Sequence, residues 1–407
     1  MLLTANRRFT FSASRRLARH GWSATENERV YGAGGEGEWG SGENYEAFFV
    51  FAGQVDRCTG LLINLVEIKH RLGPLIDERY DHCFLNLDSP PFNAMPPTAE
   101  HVARQLLRDA QEACQGLSVW PVVCHLQESA ATAATAYVSG EIERDFWLDF
   151  SAGRRTYSPH LSDEENRAWF GRAASPAGHG HGYRLRVTLR GEVDERYGLI
   201  APLAEVAAVL ADLHDKLDHR NLTVEVPELV GEPLTTENLA RFVRGQLVRH
   251  LPVTRVRLNE TATFFAEFGG GEVSLGLERS FSAAHRLRVA RLSDEENRTL
   301  FGRCANPNGH GHRYTAQATV TAPYDPRTGT VCHLGRLEHA LAGSLSSWDR
   351  RHLDLETEDF RDAPSTGENL VLRLFPRLDE RLDGQLSRLR LFETANNRFT
   401  LRKAGGD

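Results

Sequence analysis

An internal repeat constrains the fold of this chain more than any other feature of its sequence. The heptapeptide LSDEENR occurs at 161–167 and again at 292–298, and the match continues from AWFGRAASPAGHGHGY into TLFGRCANPNGHGHRY. The offset between the two copies is constant at 131 residues. That spacing is too long for one module of a solenoid and suits a whole small domain. The 407 residues therefore predict tandem copies of one fold.

A fainter copy precedes these two. The opening FSASR (11–15) matches FSAGR (150–154) and FSAAH (281–285), and a glycine-rich loop follows at 31–45. A glycine leading into a helix, an aspartate-containing loop, a helix start and a strand ending in glutamate also recur three times. The repeats predict three units, at 1–138, 139–270 and 271–407.

Short glycine turns join the units. A strand-like run before Gly269 and another after Glu272 are separated by only a few residues, and the first join at 139–141 is similar. A strand, a short glycine turn and a second strand indicate a β-hairpin. We therefore expect the sheet to continue from unit to unit. The last strand of unit 2, with Glu260, would then lie beside the first strand of unit 3, with His285.

Three histidines in unit 3 are suited to hold a metal ion. His310 and His312 are two residues apart, so on a strand they point to the same face. His285 ends the strand-like run Val273–His285, and antiparallel pairing would bring it close to the other two. Three imidazoles with one open position are the pattern of catalytic zinc. We predict a single Zn²⁺ on His285, His310 and His312.

A cysteine accompanies the histidines. Cys304 lies six residues before His310, in a loop bounded by Gly302 and Gly309. It is suited to act as a reactive thiol beside the metal. A fourth zinc ligand in a structural site and an inert buried thiol are the alternatives.

The other two units have lost parts of this set. Unit 2 has Arg154 at the place of His285 and Ala173 at the place of Cys304. Unit 1 has Ser41 and Glu43 where the paired histidines should be. The complete set occurs only in unit 3, so we expect one working site per chain.

The residues 301–314 resemble the zinc motif of the 6-pyruvoyl-tetrahydropterin synthase family, in which a cysteine and five residues precede His-Gly-His. The segment 217–222 resembles the Asp-His segment of this family, and Glu260 and Glu393, each followed by threonine, resemble its pterin-anchoring strand. The related 6-carboxy-tetrahydropterin synthases have a shorter spacing from cysteine to histidine, which favours the pyruvoyl branch. The resemblance implies an α+β T-fold. Three tandem ββααββ units would close a pseudo-threefold, twelve-stranded antiparallel barrel with outer helices, and two barrels would stack into a homodimer.

The resemblance also implies a reaction. A carbon–oxygen lyase of this kind converts 7,8-dihydroneopterin triphosphate to 6-pyruvoyl-tetrahydropterin and releases triphosphate. Cys304 would be the base that removes carbon-bound protons, and Glu260 or Glu393 would hold the pterin ring. Zinc would bind the hydroxyl groups of the substrate side chain.

One departure from the family concerns the Asp-His pair that serves the cysteine from across a subunit boundary. Unit 3 has Asp349–Arg350 at this place, whereas unit 1 keeps Asp81 and His82 and unit 2 keeps Asp218 and His219. The hairpin join places unit 2 next to the zinc strand. We therefore predict that Asp218 and His219 serve Cys304, with Asp81 and His82 as the alternative.

Several other functions stay open from the sequence. One is carboxy-pterin formation or another reaction on a reduced pterin, and another is pterin binding without catalysis. A third is a scaffold stabilised by zinc, with Cys304 as a ligand. Net charge −7 argues against a nucleic-acid partner. The chain has no apolar run of membrane-spanning length and no signal-peptide core, and its six cysteines show no paired spacing, so a cytoplasmic protein is expected.

Overall fold

The computed structural model describes residues 1–19, 21–32 and 39–403. The glycine-rich loop expected in unit 1 falls partly at 33–38, outside the described residues.

Long strands and helices follow one another in the same order in each unit. Unit 1 contains β1 (Leu2–Arg15), α1 (Ala24–Tyr31), β2 (Ser41–Ala52), α2 (Leu65–Arg79), β3 (Cys83–Phe84), α3 (Leu85–Asp88), α4 (Ala99–Ala113), β4 (Pro121–Gln127) and β5 (Thr132–Tyr137). Unit 2 contains β6 (Ile142–Arg154), α5 (Asp163–Phe170), β7 (His179–Arg190), α6 (Leu203–Leu217), β8 (Arg220–Asn221), α7 (Thr236–Leu247), β9 (Val253–Asn259) and β10 (Phe264–Gly269). Unit 3 contains β11 (Glu272–His285), α8 (Asp294–Phe301), β12 (His310–Thr321), α9 (Leu334–Leu345), β13 (Arg351–His352), α10 (Leu353–Glu356), α11 (Gly367–Arg381), β14 (Leu386–Phe392) and β15 (Asn397–Arg402).

The long strands form a closed antiparallel ring of twelve. Around the ring the order is β1-β2-β4-β5-β6-β7-β9-β10-β11-β12-β14-β15, and β15 pairs back onto β1. The units join through the β5–β6 and β10–β11 hairpins, as the glycine turns predict. The seam pairs Leu2 with Arg402 and Arg7 with Asn397. Closure removes the exposed edges that a single unit would present. The predicted T-fold barrel of three units is confirmed.

Each strand presents an apolar face to the helices and a polar face to the inside of the ring. On β9, Val256 and Leu258 are fully buried on the face that α7 covers. Arg255 and Arg257 alternate with them and face inward. Burial, followed by repulsion from Arg186, lowers the pKa of Arg257 to about 9. The helices thus cover the core, and the lumen is lined by charged side chains.

The helices that cover the sheet begin and end close to their predicted positions. The two expected from apolar spacing, Leu203–Leu217 and Leu334–Leu345, are α6 and α9. Thr235 and Thr366 cap α7 and α11 by accepting a hydrogen bond from the third backbone amide of each helix. The caps fix the first turns of α7 and α11, which carry the buried glutamates described below.

The repeated LSDEENR segment forms a short helix that the sequence analysis did not predict. In α8, Ser293 accepts a hydrogen bond from the amide of Glu296, and Glu296 accepts one from the amide of Ser293. The same reciprocal cap begins α1 and α5. This capping box stabilises a helix of only two turns.

No helix in the described ranges combines the length and the apolar character needed to cross a bilayer.

Candidate active site

The three histidines of unit 3 converge at one end of the β11–β12 pair. His285 lies directly opposite His310 in the antiparallel register, and His312 lies opposite Ala283. The Nε2 atoms of His285 and His310 are 3.1 Å apart, and one ligand nitrogen from each of the three rings lies within 4.8 Å of the others. The predicted pairing of these strands is confirmed, and it produces the predicted cluster.

The surroundings of His285 select the nitrogen that faces the cluster. Its side chain is 1% exposed, and its Nδ1 donates a hydrogen bond of 3.0 Å to the backbone carbonyl of Ser365. Nε2 then carries the free lone pair. A carbonyl that binds the other ring nitrogen in this way orients an imidazole toward a metal ion. Burial, with smaller contributions from the neighbouring histidines, lowers the pKa of His285 to about 4, so the ring is neutral. Three imidazoles in this arrangement fit a divalent cation.

Cys304 lies beside this cluster without joining it. The residue belongs to the single 3-10 turn Gly302–Ala305 that follows α8, and its side chain is half-buried. At this place the described ligand atoms that converge within 4.8 Å belong to the three histidines and do not include the Cys304 sulfur. Burial raises the pKa of the thiol, and the carboxylate of Glu393 raises it further. A cation on the histidines would act in the opposite direction.

Glu393 shares the pocket with these groups. It follows β14, and it accepts a hydrogen bond from the side-chain amide of Asn397 at 3.1 Å. Its negative charge acts on the pKa of Cys304, His310 and Tyr314, so it lies close to all three. The structure thus brings Glu393 to the unit 3 site.

A second acid, Glu368, lies in this pocket and is not among the site residues predicted from the sequence. This residue lies in the first turn of α11, is 1% exposed, and accepts a hydrogen bond of 3.0 Å from the backbone amide of Leu62. Burial, with a smaller contribution from Glu393, raises its pKa to about 7. The signal was present in the sequence, because Glu100, Glu237 and Glu368 occupy the same position in the three units. Helix capping explains the threonine before each acid but does not explain why the acid is buried.

Glu260 lies elsewhere. The expectation that it is on the last strand of unit 2, beside His285, is wrong, because it follows β9 and precedes β10. Its carboxylate contacts Arg154 and Thr236, and it accepts a hydrogen bond of 3.0 Å from His181. Glu260 therefore belongs to the equivalent cluster of unit 2.

The two Asp-His pairs are intact and open to solvent. Asp218 Oδ2 is 2.6 Å from His219 Nδ1, and Asp81 Oδ2 is 2.8 Å from His82 Nδ1. A hydrogen bond from the backbone amide of Ser151 holds Asp218, and the imidazole of His219 is 83% exposed. In the described ranges the polar contacts of Asp218 and His219 are with each other, Ser151 and His214, so this pair does not contact Cys304 within the chain.

Unit 1, across the seam of the ring, closes the pocket of unit 3. Thr366 donates a hydrogen bond of 2.6 Å to the carbonyl of Gly60, and Asn64 donates one of 3.1 Å to the carbonyl of Leu300. Leu61 packs against the small apolar cluster that includes Cys304. The neighbour of the unit 3 site within the chain is therefore unit 1.

Comparisons with known proteins match all three units to one family. The family model described as 6-pyruvoyl tetrahydropterin synthase matches the chain three times, at 4–138, 142–271 and 274–404. The 6-pyruvoyl tetrahydrobiopterin synthase of Pongo abelii is 41% identical over 134 residues, which are 32% of this chain and 92% of that protein. The corresponding protein of Homo sapiens is 40% identical over 134 residues, with the same coverage.

A solved structure of the Caenorhabditis elegans 6-pyruvoyl tetrahydropterin synthase is 36% identical and has a TM-score of 0.32, covering 33% of this chain and 96% of that chain. The three family matches together span nearly the whole sequence. The chain is therefore a member of the 6-pyruvoyl tetrahydropterin synthase family in which three family units follow one another.

Proposed function

We propose that this protein is a zinc-dependent 6-pyruvoyl-tetrahydropterin synthase, a carbon–oxygen lyase with one working site, in unit 3. The observation that carries the proposal is the gathering of the histidine cluster, Cys304 and two acids at one place, in a chain whose relatives are named as these synthases. The substrate is 7,8-dihydroneopterin triphosphate, and the products are 6-pyruvoyl-tetrahydropterin and triphosphate. The unit boundaries at 138/139 and 270/271 that go with this proposal are supported by the hairpins that join the strands there.

His285, His310 and His312 would hold the zinc ion, and the hydrogen bond from His285 to the Ser365 carbonyl keeps one ligand nitrogen in place. Zinc supplies a Lewis acid that polarises the hydroxyl oxygens of the substrate side chain. The half-buried Cys304 would take the role of the base that accepts protons from carbon.

Glu393 and Glu368 are the groups that would hold the pterin ring. Two adjacent N–H donors on the amino-oxo edge of the ring can each donate to a carboxylate, and such charge-assisted bonds are about twice as strong as neutral ones. Of the two glutamates predicted for this role, Glu393 is supported by its electrostatic contact with His310. Glu260 is not supported, because it bonds Arg154 and His181. Glu368 takes its place in the proposal.

A second copy of the chain would complete the site. The imidazole of His219 is exposed on the surface of the ring, so a homodimer of stacked rings could bring the Asp218–His219 pair of one chain to Cys304 of the other. The Asp81–His82 pair has the same geometry and is the alternative. His219→Ala should impair turnover more than His82→Ala if unit 2 supplies the pair, and the reverse order would assign the role to unit 1.

Product identification tests the proposal. The zinc-loaded protein should release triphosphate from 7,8-dihydroneopterin triphosphate and form a pterin with an oxidised side chain, both detected by mass spectrometry. A carboxy-pterin product would assign the chain to the other branch, and binding without turnover would make it a pterin-binding protein. Alkylation of Cys304 in the zinc-loaded protein separates the proposal from a structural site, because a ligand thiolate is shielded by its metal.

A further inference from the structure

An arc of four neighbouring strands in the ring contains arginines and no acidic residue. The arc runs β12-β14-β15-β1, and none of the four strands contains an aspartate or a glutamate. On β14, Leu389 and Leu391 are fully buried under α11. Arg388 and Arg390 alternate with these leucines and therefore face the lumen. This side of the lumen thus has positive charges and no carboxylate on its own strands.

Antiparallel pairing sets two arginines of this arc directly opposite each other. Arg388 of β14 pairs with Arg402 of β15 in the register of the sheet. Side chains at such positions share one face and have Cβ atoms about 5 Å apart, so like charges there repel each other. No described carboxylate lies within 4.0 Å of the Arg402 guanidinium. An arginine pair of this kind is unfavourable unless a negative charge lies close to both side chains.

Glu267 of β10 supplies the nearest negative charge and shares it among several arginines. In the part of the chain that the structure describes, it is the only carboxylate within 4.0 Å of an arginine of β14 or β15, at 3.6 Å from Arg388. Burial alone would raise the pKa of Glu267, but four arginines outweigh burial and lower the pKa to about 2. These arginines are Arg388, Arg255, Arg186 and Arg257. The single charge of Glu267 is therefore divided and does not neutralise the pair on β14 and β15.

The arginines of the arc keep their charge. Burial and the neighbouring arginines, of which Arg388 acts most strongly, lower the pKa of Arg390 well below its usual value. A guanidinium nevertheless stays protonated in proteins, so this shift expresses repulsion that the folded chain bears. The polar contacts of Arg388 are also long, at 3.4 Å to the hydroxyl of Thr319 and 3.6 Å to Glu267. An anion at this place would relieve the repulsion and accept stronger hydrogen bonds.

The facing arginines line a cavity at one mouth of the ring. Its volume is about 470 Å³, within the range of small-molecule sites, and five arginines line it against two glutamates. Arg388 and Arg402 are among them, and so is Arg255, which also pairs with Glu143 at 3.0 Å. The strand β11 begins at this mouth and ends at the histidine cluster, and its 14 residues extend over about 40 Å. The cavity is therefore separate from the unit 3 site.

The other two units do not repeat the pair of facing arginines. The corresponding positions hold Arg255 and Gly269 in unit 2, and Val123 and Tyr137 in unit 1. Tyr137 donates a hydrogen bond of 2.9 Å to Glu143, so a carboxylate occupies that side of the lumen. The basic surface is thus one-sided instead of repeated around the ring, and it offers one place for an anion in each chain.

We propose that this mouth of the lumen binds a phosphate-bearing polyanion, with Arg388 and Arg402 as its main contacts and Arg255 as a third. Planar guanidinium groups bind phosphate oxygens through two parallel N–H bonds. A chain of phosphoryl groups carries several negative charges and can contact several arginines at once, which a single small anion cannot. Inorganic polyphosphates and nucleoside triphosphates both contain such a chain. The site does not depend on the reaction proposed for unit 3.

Calorimetric titration of the full-length chain with inorganic triphosphate tests the proposal. In about 0.15 M salt, which screens exposed charges, we expect one saturable site per chain. Arg402→Gln should weaken binding about tenfold or more, since a charge-assisted hydrogen bond is lost. The control Arg249→Gln removes an exposed charge in the loop after α7 and should leave binding unaltered. His310→Ala should also leave it unaltered, because the histidine cluster lies at the other end of β11.

The melting temperature provides a second readout that opposes the two roles of Arg402. In chloride buffer, Arg402→Gln should raise the melting temperature, because it removes the repulsion from Arg388. Saturating triphosphate should raise the melting temperature of the parent chain and leave that of the variant unchanged. If Arg402→Gln fails to fold, Arg388→Gln should likewise abolish the rise that triphosphate produces.

The source of the phosphate chain is decided by a parallel titration with ATP. Binding of ATP as tight as that of triphosphate would identify a nucleotide as the ligand, and weaker binding would identify a free polyphosphate. The proposal is overturned if triphosphate shows no saturable binding, if chloride raises the melting temperature as much as triphosphate does, or if Arg402→Gln binds triphosphate as tightly as the parent. Loss of binding in His310→Ala would assign the anion to the unit 3 site and would overturn it as well.

Discussion

Gly367 and Phe399 offer a quantitative test of how the unit 3 pocket is packed. A Cβ atom added at Gly367, one residue before Glu368, would overlap the ring of Phe399, which is buried. The backbone at Gly367 is not left-handed, so the cost of Gly367→Ala comes from packing and not from strain. Overpacking of this kind destabilises a protein by about 1–3 kcal/mol. Phe399→Ala alone should cost about 3–5 kcal/mol, because it empties a buried site.

The double variant separates packing from other effects. Once the ring is removed, the added methyl group of Gly367→Ala enters free space, and the change should become neutral or stabilising. The coupling between the two changes should therefore reach about 1–3 kcal/mol. The measurement is the midpoint of guanidinium unfolding followed by tryptophan fluorescence, to which the buried Trp348 of unit 3 contributes.

Gly245→Ala is the control. Gly245 lies inside α7 with no atom within 4 Å of an added Cβ, so the change should stabilise the protein by about 0.5–1 kcal/mol through helix propensity. Additive effects of Gly367→Ala and Phe399→Ala would refute the reasoning, as would a neutral Gly367→Ala in the parent chain.

The remaining predictions concern the metal, the thiol, the buried acid and the assembly. His310→Ala should remove the single zinc ion and His179→Ala should not; two or three zinc ions per chain after dialysis would contradict this. Cys304→Ala should lower turnover about a hundredfold or more while zinc content and substrate binding persist. The raised pKa of Glu368, about 7, means that the folded state binds the proton more tightly, so stability falls as pH rises from about 4.5 to 7. Glu368→Gln should then raise the melting temperature at pH 8 but not at pH 4. The gain in unfolding free energy at pH 8 should be at most about 3 kcal/mol. Light scattering should give a dimer; a trimer or hexamer of this chain would exclude the stacked-ring assembly.

Features set by neighbouring residues could be predicted from the sequence. The strand ending at His285 and the one beginning at His310 followed from the spacing of the histidines, and α6 and α9 followed from apolar residues at helical spacing. The capping box that begins α8 is also a local signal, because Ser293 is followed three residues later by Glu296.

Features set by distant contacts could not be predicted in this way. Leu62 and Glu368 are joined by a hydrogen bond across 306 residues, so no local pattern indicates that unit 1 closes the unit 3 site. The placement of Glu260 depends on whether the turn after β9 approaches its own unit or the next one. The contact of Glu260 with Arg154, which is 106 residues away, holds this turn against its own unit.

The difference between the three pockets depends on residues that the neighbouring units supply. Each pocket meets the first strand of the unit that follows it around the ring, at a position occupied by Arg144 for unit 1, Leu275 for unit 2 and Ala5 for unit 3. In the sheet these residues pair with Ala134, Ala266 and Phe399, respectively. The arginine reaches the acids of unit 1, and the leucine lines the cavity of unit 2.

In a ring of identical subunits all three positions would change together, so one pocket could not be filled without filling the others. A single chain removes that constraint. It lets unit 1 bury an ion-paired network at one border while unit 3 keeps a small alanine beside the pocket that carries the complete set of site residues. The divergence of units 1 and 2 is thus a consequence of fusion that leaves the geometry of the third site intact.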